Sequence, residues 1–481
     1  MNPKSFIIVG AGFGGLATAA RLAHRGHQVT LLEKNGYVGG RNRRHQVGQC
    51  HFDLGPTLLM MLDPFRKLFS DLGERMEDRI PVTLCDPSYR VFWRDGSRLD
   101  ATTNVAAMTD RIRSLAGDTD GAQYPTFLKE LKALYEESIP HFVRKNYISP
   151  LDFAKPAQLK RVVKHKMLSN LAKQVEKRFK DPRLRMLFSF QTMYLGLSPY
   201  DAPFVYATLA YMEYGEGIFY PEGGLGGMSE ALADLAKERG AEIRLSSPVS
   251  RVEENSVTLE SGETLTADAV IVNADMPYAQ RELEMKPSNR QLRSSCSAHM
   301  IYMDYEGELP GLEHHNVFFG ARFKDNLDSL FHDLKMPSDP AFYVCTASKT
   351  DRTTAPAGRT SLFILVPVPN LDLKVRSDEL ARMEKEVFDR LSEDAGFDPA
   401  RVRAIDRRGP QEWKDELNLD RGAAFGISAD LFQSAFMRPQ NKSSETGAYY
   451  VGASTVPGNG LPMVLISAEL VEQRLELEGV I

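Results

Sequence analysis

Apolar residues fill positions 6–9 (FIIV) without a polar interruption. Such a run predicts a strand buried on both faces of a parallel sheet. GAGFGG follows at 10–15, and residues 16–23, rich in Ala and Leu, predict a helix. Gly26 is placed to end that helix, because glycine adopts the left-handed conformation past a helix terminus at little cost. A second apolar strand is expected over 29–32, with Glu33 at its end. Together these elements make one βαβ unit. The same signals return far downstream. A helix is expected over 228–239, strands over 242–245, 269–272 and 449–451, and a closing helix from Pro462 onward. Residues 105–215 carry the Leu, Lys, Glu and Ala of a largely helical insert. Residues 285–440 mix β-like runs such as 361–368 with a charged helix near 377–393.

The bulk composition narrows the class. The 481 residues are 42% hydrophobic and 26% charged, ordinary for a globular chain with several cores. The net charge of −5, from 59 basic and 64 acidic side chains, does not fit a nucleic-acid binder. Cys50, Cys85, Cys296 and Cys345 form no Cys-x-x-Cys pair and have no His cluster in sequence beside them. They are expected to be reduced, buried thiols of a cytoplasmic protein, with no metal site. No apolar run reaches the ~18 residues of a membrane span.

The chemistry begins at Gly10, Gly12 and Gly15. G-x-G-x-x-G between a strand and a helix permits the tight turn, the approach of a pyrophosphate to the backbone and the packing of helix on sheet. The helix start then offers free N–H groups and a partial positive charge to phosphate. Glu33 lies about 20 residues on, at the end of the second strand, where a carboxylate accepts hydrogen bonds from ribose hydroxyls. That carboxylate would repel a 2′-phosphate, so FAD or NAD is favoured over NADP.

Gly39-Gly40-Arg41 and the stretch FDLGPT at 52–57 follow within a few residues. Here the chain resembles the large flavoprotein family that includes carotenoid desaturases, amine oxidases and protoporphyrinogen oxidase. YPEGG at 220–224, RGAAFG at 421–426, RPQN at 438–441 and YVGASTVPGNGLP at 450–462 resemble the carotenoid (phytoene/diapophytoene-type) desaturase branch. The resemblance implies an α/β fold of three parts. A discontinuous Rossmann-like FAD-binding domain takes residues 1–80, 218–281 and 442–481. A mixed-sheet substrate domain takes 81–138 and 282–441. A helical, membrane-associated insert takes 139–217. It further implies that Gly40 and Arg41 run along the FAD, that Gly55, Pro56 and Thr57 approach the flavin, and that the Val249 backbone lies near the adenine. Gly452 and Ala453 would meet the phosphate and ribityl chain. Leu461, Pro462 and Met463 would lie under the isoalloxazine ring, where the start of the last helix favours a reduced, anionic flavin.

The activity that follows from this resemblance is dehydrogenation of a long polyisoprenoid, with a quinone or dioxygen as electron acceptor. Asp152 occupies the place of the family's candidate base, and a helix N-cap is an equally ready role for it. Alternatives within the branch are a terminal-methyl carotenoid oxidase, a hydroxysqualene dehydroxylase, an isomerase and a saturase; outside enzymes, a prenyl-binding escort protein shares the fold. Residues 155–185 hold eleven Lys or Arg interleaved with apolar residues at helix-like spacing. A basic amphipathic helix of that kind suits an anionic membrane surface, so a peripheral membrane location is expected.

Overall fold

The computed structural model describes residues 2–146, 154–283, 292–430, 433–434, 437–443 and 445–481. Ser5–Val9 is the central strand of a five-stranded sheet ordered Tyr449–Tyr450, Ala269–Val272, Ser5–Val9, Gln28–Leu32, Glu242–Arg244. Every pairing in it is parallel. Burial on both faces explains why the run at 6–9 is apolar throughout. Phe6 and Ile8 point into a core shared with the helices Phe13–His24, Gly224–Glu238 and Leu461–Leu477. Ile7 and Val9 point the other way, against the three-stranded antiparallel sheet Val249–Val252, Ser256–Leu259 and Thr264–Thr266.

A seven-stranded sheet forms the second layer system. Its order is Val402–Arg408, Ser297–Glu306, Arg359–Val368, Phe342–Cys345, His315–Phe318, Tyr89–Phe92, Arg98–Ala101. Only the junction of His315–Phe318 with Tyr89–Phe92 is parallel. Alternate residues of Ser297–Glu306 serve two cores. Ile301, Met303 and Tyr305 pack on the helix Ser377–Ala395, while Met300 and Tyr302 pack with Phe52, Leu54 and Trp413. The fold is therefore α/β, with mixed sheets and helices.

The helical segment is built on Val105–Ala116 and Asp118–Ser138 and is closed by shorter pieces. Phe127, Phe179, Phe188 and Tyr214 make an edge-and-face aromatic cluster at its centre. The basic stretch departs from expectation. Instead of one amphipathic helix it forms three short ones, Pro156–Lys164, Leu171–Glu176 and Pro182–Leu187. Lys166 sits at a left-handed φ of 53° and breaks the first, and Asp181 caps the third at Pro182. Met167, Leu171 and Val175 are drawn into the core, whereas Leu159, Val163 and Leu168 remain 49%, 77% and 57% exposed. Arg161, Arg178 and Arg185 pair with Glu137, Glu130 and Glu176. Among the described residues no helix is long and apolar enough to cross a membrane.

Helix Phe13–His24 can approach the sheet only because Gly15 lacks a side chain; a Cβ there would overlap the Gly10 carbonyl oxygen, which is backbone and cannot swing away. Gly15→Ala is expected to destabilise the protein by about 1–3 kcal/mol, the usual cost of overpacking. Thermal unfolding of the purified variant measures this.

Candidate active site

The parallel sheet ends in a cavity of about 730 Å³. Strand Ser5–Val9 stops at Gly10, whose N–H donates to Leu32 O (2.7 Å), and helix Phe13–His24 starts at Gly12 with no side-chain cap. The first N–H groups of that helix are left for a ligand. At the opposite wall Gly460, at φ 101°, turns the chain into helix Leu461–Leu477, which is also uncapped by any side chain and carries Pro462 in its first turn. Two helix N-termini, from the two ends of the chain, face one cavity.

The charged groups around it are arranged for an anion with a sugar attached. The Glu33 carboxylate is buried and accepts the N–H groups of Ala11 (2.8 Å) and Asn35 (2.9 Å), which fixes it at the edge of the first turn. Arg41 donates to Ala424 O at 3.1 Å. Burial lowers its pKa from the ordinary guanidinium value, while nearby Asp275 works in the opposite sense. Arg438, 2% exposed, donates to Thr455 O (3.1 Å) and Ala453 O (2.5 Å), and its desolvation brings it down to about 10. Neither arginine forms an ion pair among the described residues. Two desolvated cations in one cavity with two helix N-termini fit a diphosphate.

The cavity brings together Gly10, Gly12, Glu33, Gly40, Arg41, Gly55, Pro56, Thr57, Val249, Gly452, Ala453, Leu461, Pro462 and Met463. Gly15 lies behind the wall, where it lets helix meet strand. Asp152 lies outside the described residues. Two residues at the cradle had no role assigned from the sequence. One is Arg438, inside RPQN. The other is Asn273, just past the apolar run 269–272, whose Nδ2 donates to Gly10 O at 3.1 Å. A polar residue closing a buried strand is the signal that points to Asn273.

Away from the charged end, the cavity is lined by Met60, Ile139, Phe190, Met193, Tyr194, Leu195, Val205, Leu209, Val317, Phe319 and Tyr343, among others without charge. Two polar chains touch this apolar part. Thr57 Oγ1 meets Tyr343 OH at 2.9 Å, and Tyr343 OH meets His315 Nδ1 at 2.6 Å. Tyr194 OH meets Tyr89 OH at 2.7 Å, and Tyr89 donates to the buried carboxylate of Glu213 at 3.1 Å. Burial raises the Glu213 carboxyl to about 7 against the opposing hydrogen bonds of Gln191, Tyr194, Tyr89 and Tyr214. Donor atoms of Cys85, His314 and His315 lie within 4.8 Å of one another. Burial pushes the Cys85 thiol up to about 12 and His314 down to about 3, and holds His315 well below its ordinary value, so the trio is uncharged.

Residues 13–468 match the family model described as flavin containing amine oxidoreductase. The chain belongs to that family. A zeta-carotene-forming phytoene desaturase of Myxococcus xanthus is 39% identical, over 98% of this chain and 94% of its own length. A 4,4′-diapophytoene desaturase (4,4′-diaponeurosporene-forming) of Staphylococcus haemolyticus is 30% identical over 97% and 98%. Among solved structures, an oxidoreductase from Methanosarcina mazei matches with a TM-score of 0.64 and 17% identity, covering 98% of this chain and 100% of that one, which is a likeness of fold alone.

The cofactor of this flavin oxidoreductase is FAD, and the residues present fit it. The uncapped start of Phe13–His24 and the two buried arginines suit the diphosphate, Glu33 suits a ribose, and the second helix start suits an electron-rich ring edge. Arg438→Lys keeps the charge but loses the fork that holds two backbone carbonyls. It should weaken FAD retention by about tenfold or more, the scale of one charged hydrogen bond. Flavin content after ultrafiltration measures the loss.

Proposed function

We propose that the protein is a desaturase that introduces double bonds into a long polyisoprenoid such as phytoene or diapophytoene. One observation carries the reading. The cavity that receives the dinucleotide is also lined by Met60, Ile139, Phe190, Leu195, Val205 and Phe319, and among the described residues this apolar part of the lining carries no charged side chain. A hydrocarbon offers nothing for a charge to recognise, and an unpaired charge there would be costly. The names of the relatives that match over nearly the whole chain support the same substrate class.

Bound FAD supplies a two-electron acceptor that takes hydride. The protein's own part is threefold. Glu33, Arg41, Arg438 and the two helix starts hold the dinucleotide end in place. Thr57, Tyr343 and the aliphatic lining position a CH₂–CH₂ unit of the chain. The apolar wall excludes water, so that a developing allylic cation is not trapped as an alcohol. A quinone or dioxygen is the class of acceptor that completes the electron balance. The intact cradle weighs against a prenyl-binding escort role, which has no use for a diphosphate site.

An exposed segment of mixed apolar and basic residues supports a peripheral seat on a bilayer. Leu159, Val163 and Leu168 are exposed within the same surface segment as Lys160, Lys164 and Lys166. An anionic leaflet would accept both kinds of side chain.

FAD-loaded protein in anionic liposomes, given phytoene or diapophytoene, should yield products absorbing at longer wavelength as conjugation grows. Recovery of unchanged substrate in both cases would overturn the proposal. Replacing Val163 and Leu168 together by Asp should weaken liposome binding by about 100-fold or more, the scale of burying two aliphatic side chains, and leave the flavin spectrum unchanged.

A further inference from the structure

Desaturation removes two hydrogens from adjacent carbons. One would leave as hydride, the chemistry that bound FAD supplies; the other leaves as a proton, and an apolar chamber has few places to put it. Among the described residues, the Glu213 carboxylate is buried behind the chamber wall. Glu213 has no exposure and lies in the short turn Met212–Glu216 beneath Phe190–Leu195. Its Oε2 accepts Gln191 Nε2 at 2.9 Å and its Oε1 accepts Tyr89 OH at 3.1 Å. When Tyr89 gives its only proton to the carboxylate, its oxygen can only accept, and Tyr194 donates across the 2.7 Å between the two hydroxyls; Tyr194 also stands close enough to Glu213 to bond it directly. Tyr194 lines the cavity, whereas Tyr89 and Glu213 do not. With its proton turned toward Tyr89, the Tyr194 oxygen keeps a lone pair for whatever occupies the chamber.

From this geometry we propose that Tyr194, Tyr89 and Glu213 form the proton-accepting relay of the reaction, with Tyr194 as the group that meets the hydrocarbon. The inference rests on the desaturase reading. The balance is simple. A C–H bond next to the allylic cation breaks and its electron pair becomes the new C=C bond. The proton goes to the Tyr194 oxygen, the Tyr194 proton moves to Tyr89, and the Tyr89 proton moves to Glu213 Oε1. One carboxylate becomes one carboxylic acid, and both tyrosines end neutral. No tyrosinate is required, which suits the strong upward displacement of both phenols by burial and by the nearby Glu213 charge.

The groups that face Glu213 are Gln191, Tyr194, Tyr89 and Tyr214, all uncharged. Behind Tyr89 stand Tyr343 and His315, the latter held neutral by burial; behind Tyr214 stands Tyr124. With no cation beside it, the carboxyl is raised by desolvation to about 7. A proton acceptor with that value is half ready at neutral pH and can return its proton to solvent between turnovers. The sign is fixed by the direction of transfer. The ionised form is the active one, so the rate falls as pH drops through about 7.

The test uses the FAD-loaded full chain in liposomes with phytoene and diapophytoene, over a range of pH. Glu213→Gln should lower kcat by about 100-fold, within the range general-base catalysis contributes, and abolish the acid limb of the pH profile. Tyr194→Phe removes one oxygen from an otherwise apolar wall. It should lower kcat similarly with KM nearly unchanged, and it keeps the inference testable if Glu213→Gln folds poorly. Infrared titration gives a reading without turnover. A carboxylic-acid carbonyl band with a midpoint near 7 should appear in the unmodified protein and be absent from Glu213→Gln. If both variants keep rates within about threefold, the acid limb survives the substitution, or no such band titrates, the relay is wrong. Inactivity of the unmodified protein on both hydrocarbons sinks the desaturase reading instead, and the infrared titration then decides by itself whether Glu213 is the exchangeable acid.

Discussion

The whole site hangs on the close approach of two distant stretches of chain to one asparagine. Asn273 closes the strand Ala269–Val272, its backbone N–H donating to Val9 O and its side-chain Nδ2 to Gly10 O. A Cβ on Gly12 would stand 2.8 Å from Nδ2, and one on Gly14 or Gly452 would stand 2.8 Å from Oδ1. The N-terminal loop and the C-terminal segment are therefore in contact with a single amide, and each has given up its side chain to reach it. Parallel pairing of Ala269–Val272 with Ser5–Val9 on one side and Tyr449–Tyr450 on the other sets the register that makes this possible. Helix Phe13–His24 starts within this junction, and Val464 of helix Leu461–Leu477 reaches Gly14 beside it.

Charge is then sorted along the cavity by what each end must hold. Arg41, Arg438 and the helix dipoles gather where phosphate belongs, with Asp275 as the buried counter-charge. That carboxylate accepts the Asp420 N–H (3.0 Å) and the Ser454 hydroxyl (2.8 Å), and burial still raises it. Among the described residues no such group lines the apolar end. The same division appears in the sheets. The parallel sheet, whose strand ends point their unpaired backbone at the cradle, serves the cofactor. The seven-stranded sheet presents Val317 and Tyr343 as wall.

The βαβ unit was legible because its signals are local. An apolar run, a glycine loop and a carboxylate at a fixed spacing need no knowledge of the rest of the chain. The strand at 269–272 and the helix after Gly460 were legible for the same reason, and the residues placed on the cofactor line one cavity with Gly15 just behind it. What depends on long-range packing was not. Helix Gly224–Glu238 begins four residues earlier than its periodicity shows, because Gly224 and Gly226 sit against Asp53 and the Arg43–Arg44 backbone. The basic stretch has the spacing of an amphipathic helix, yet Met167, Leu171 and Val175 serve the core while Leu159 and Val163 do not. Spacing alone cannot tell an apolar residue that faces inward from one that faces a surface.

Glu213 shows why the remaining chemistry was hidden. In MEYGE, between a helical stretch and a glycine, a glutamate reads as a solvated turn residue. Its meaning comes from Tyr89, over a hundred residues earlier, and from Gln191 and Tyr194, which the fold stacks above it. Burying a carboxylate and its tyrosine and glutamine partners behind a largely apolar wall is costly, and a phenylalanine network of the same volume would spare that cost. A structural role would be served by either. Only a process that needs somewhere to leave a proton, beside a substrate with no polar atoms of its own, distinguishes the carboxylate from the hydrocarbon. The polar island in the apolar wall is thus better explained by the reaction than by the fold.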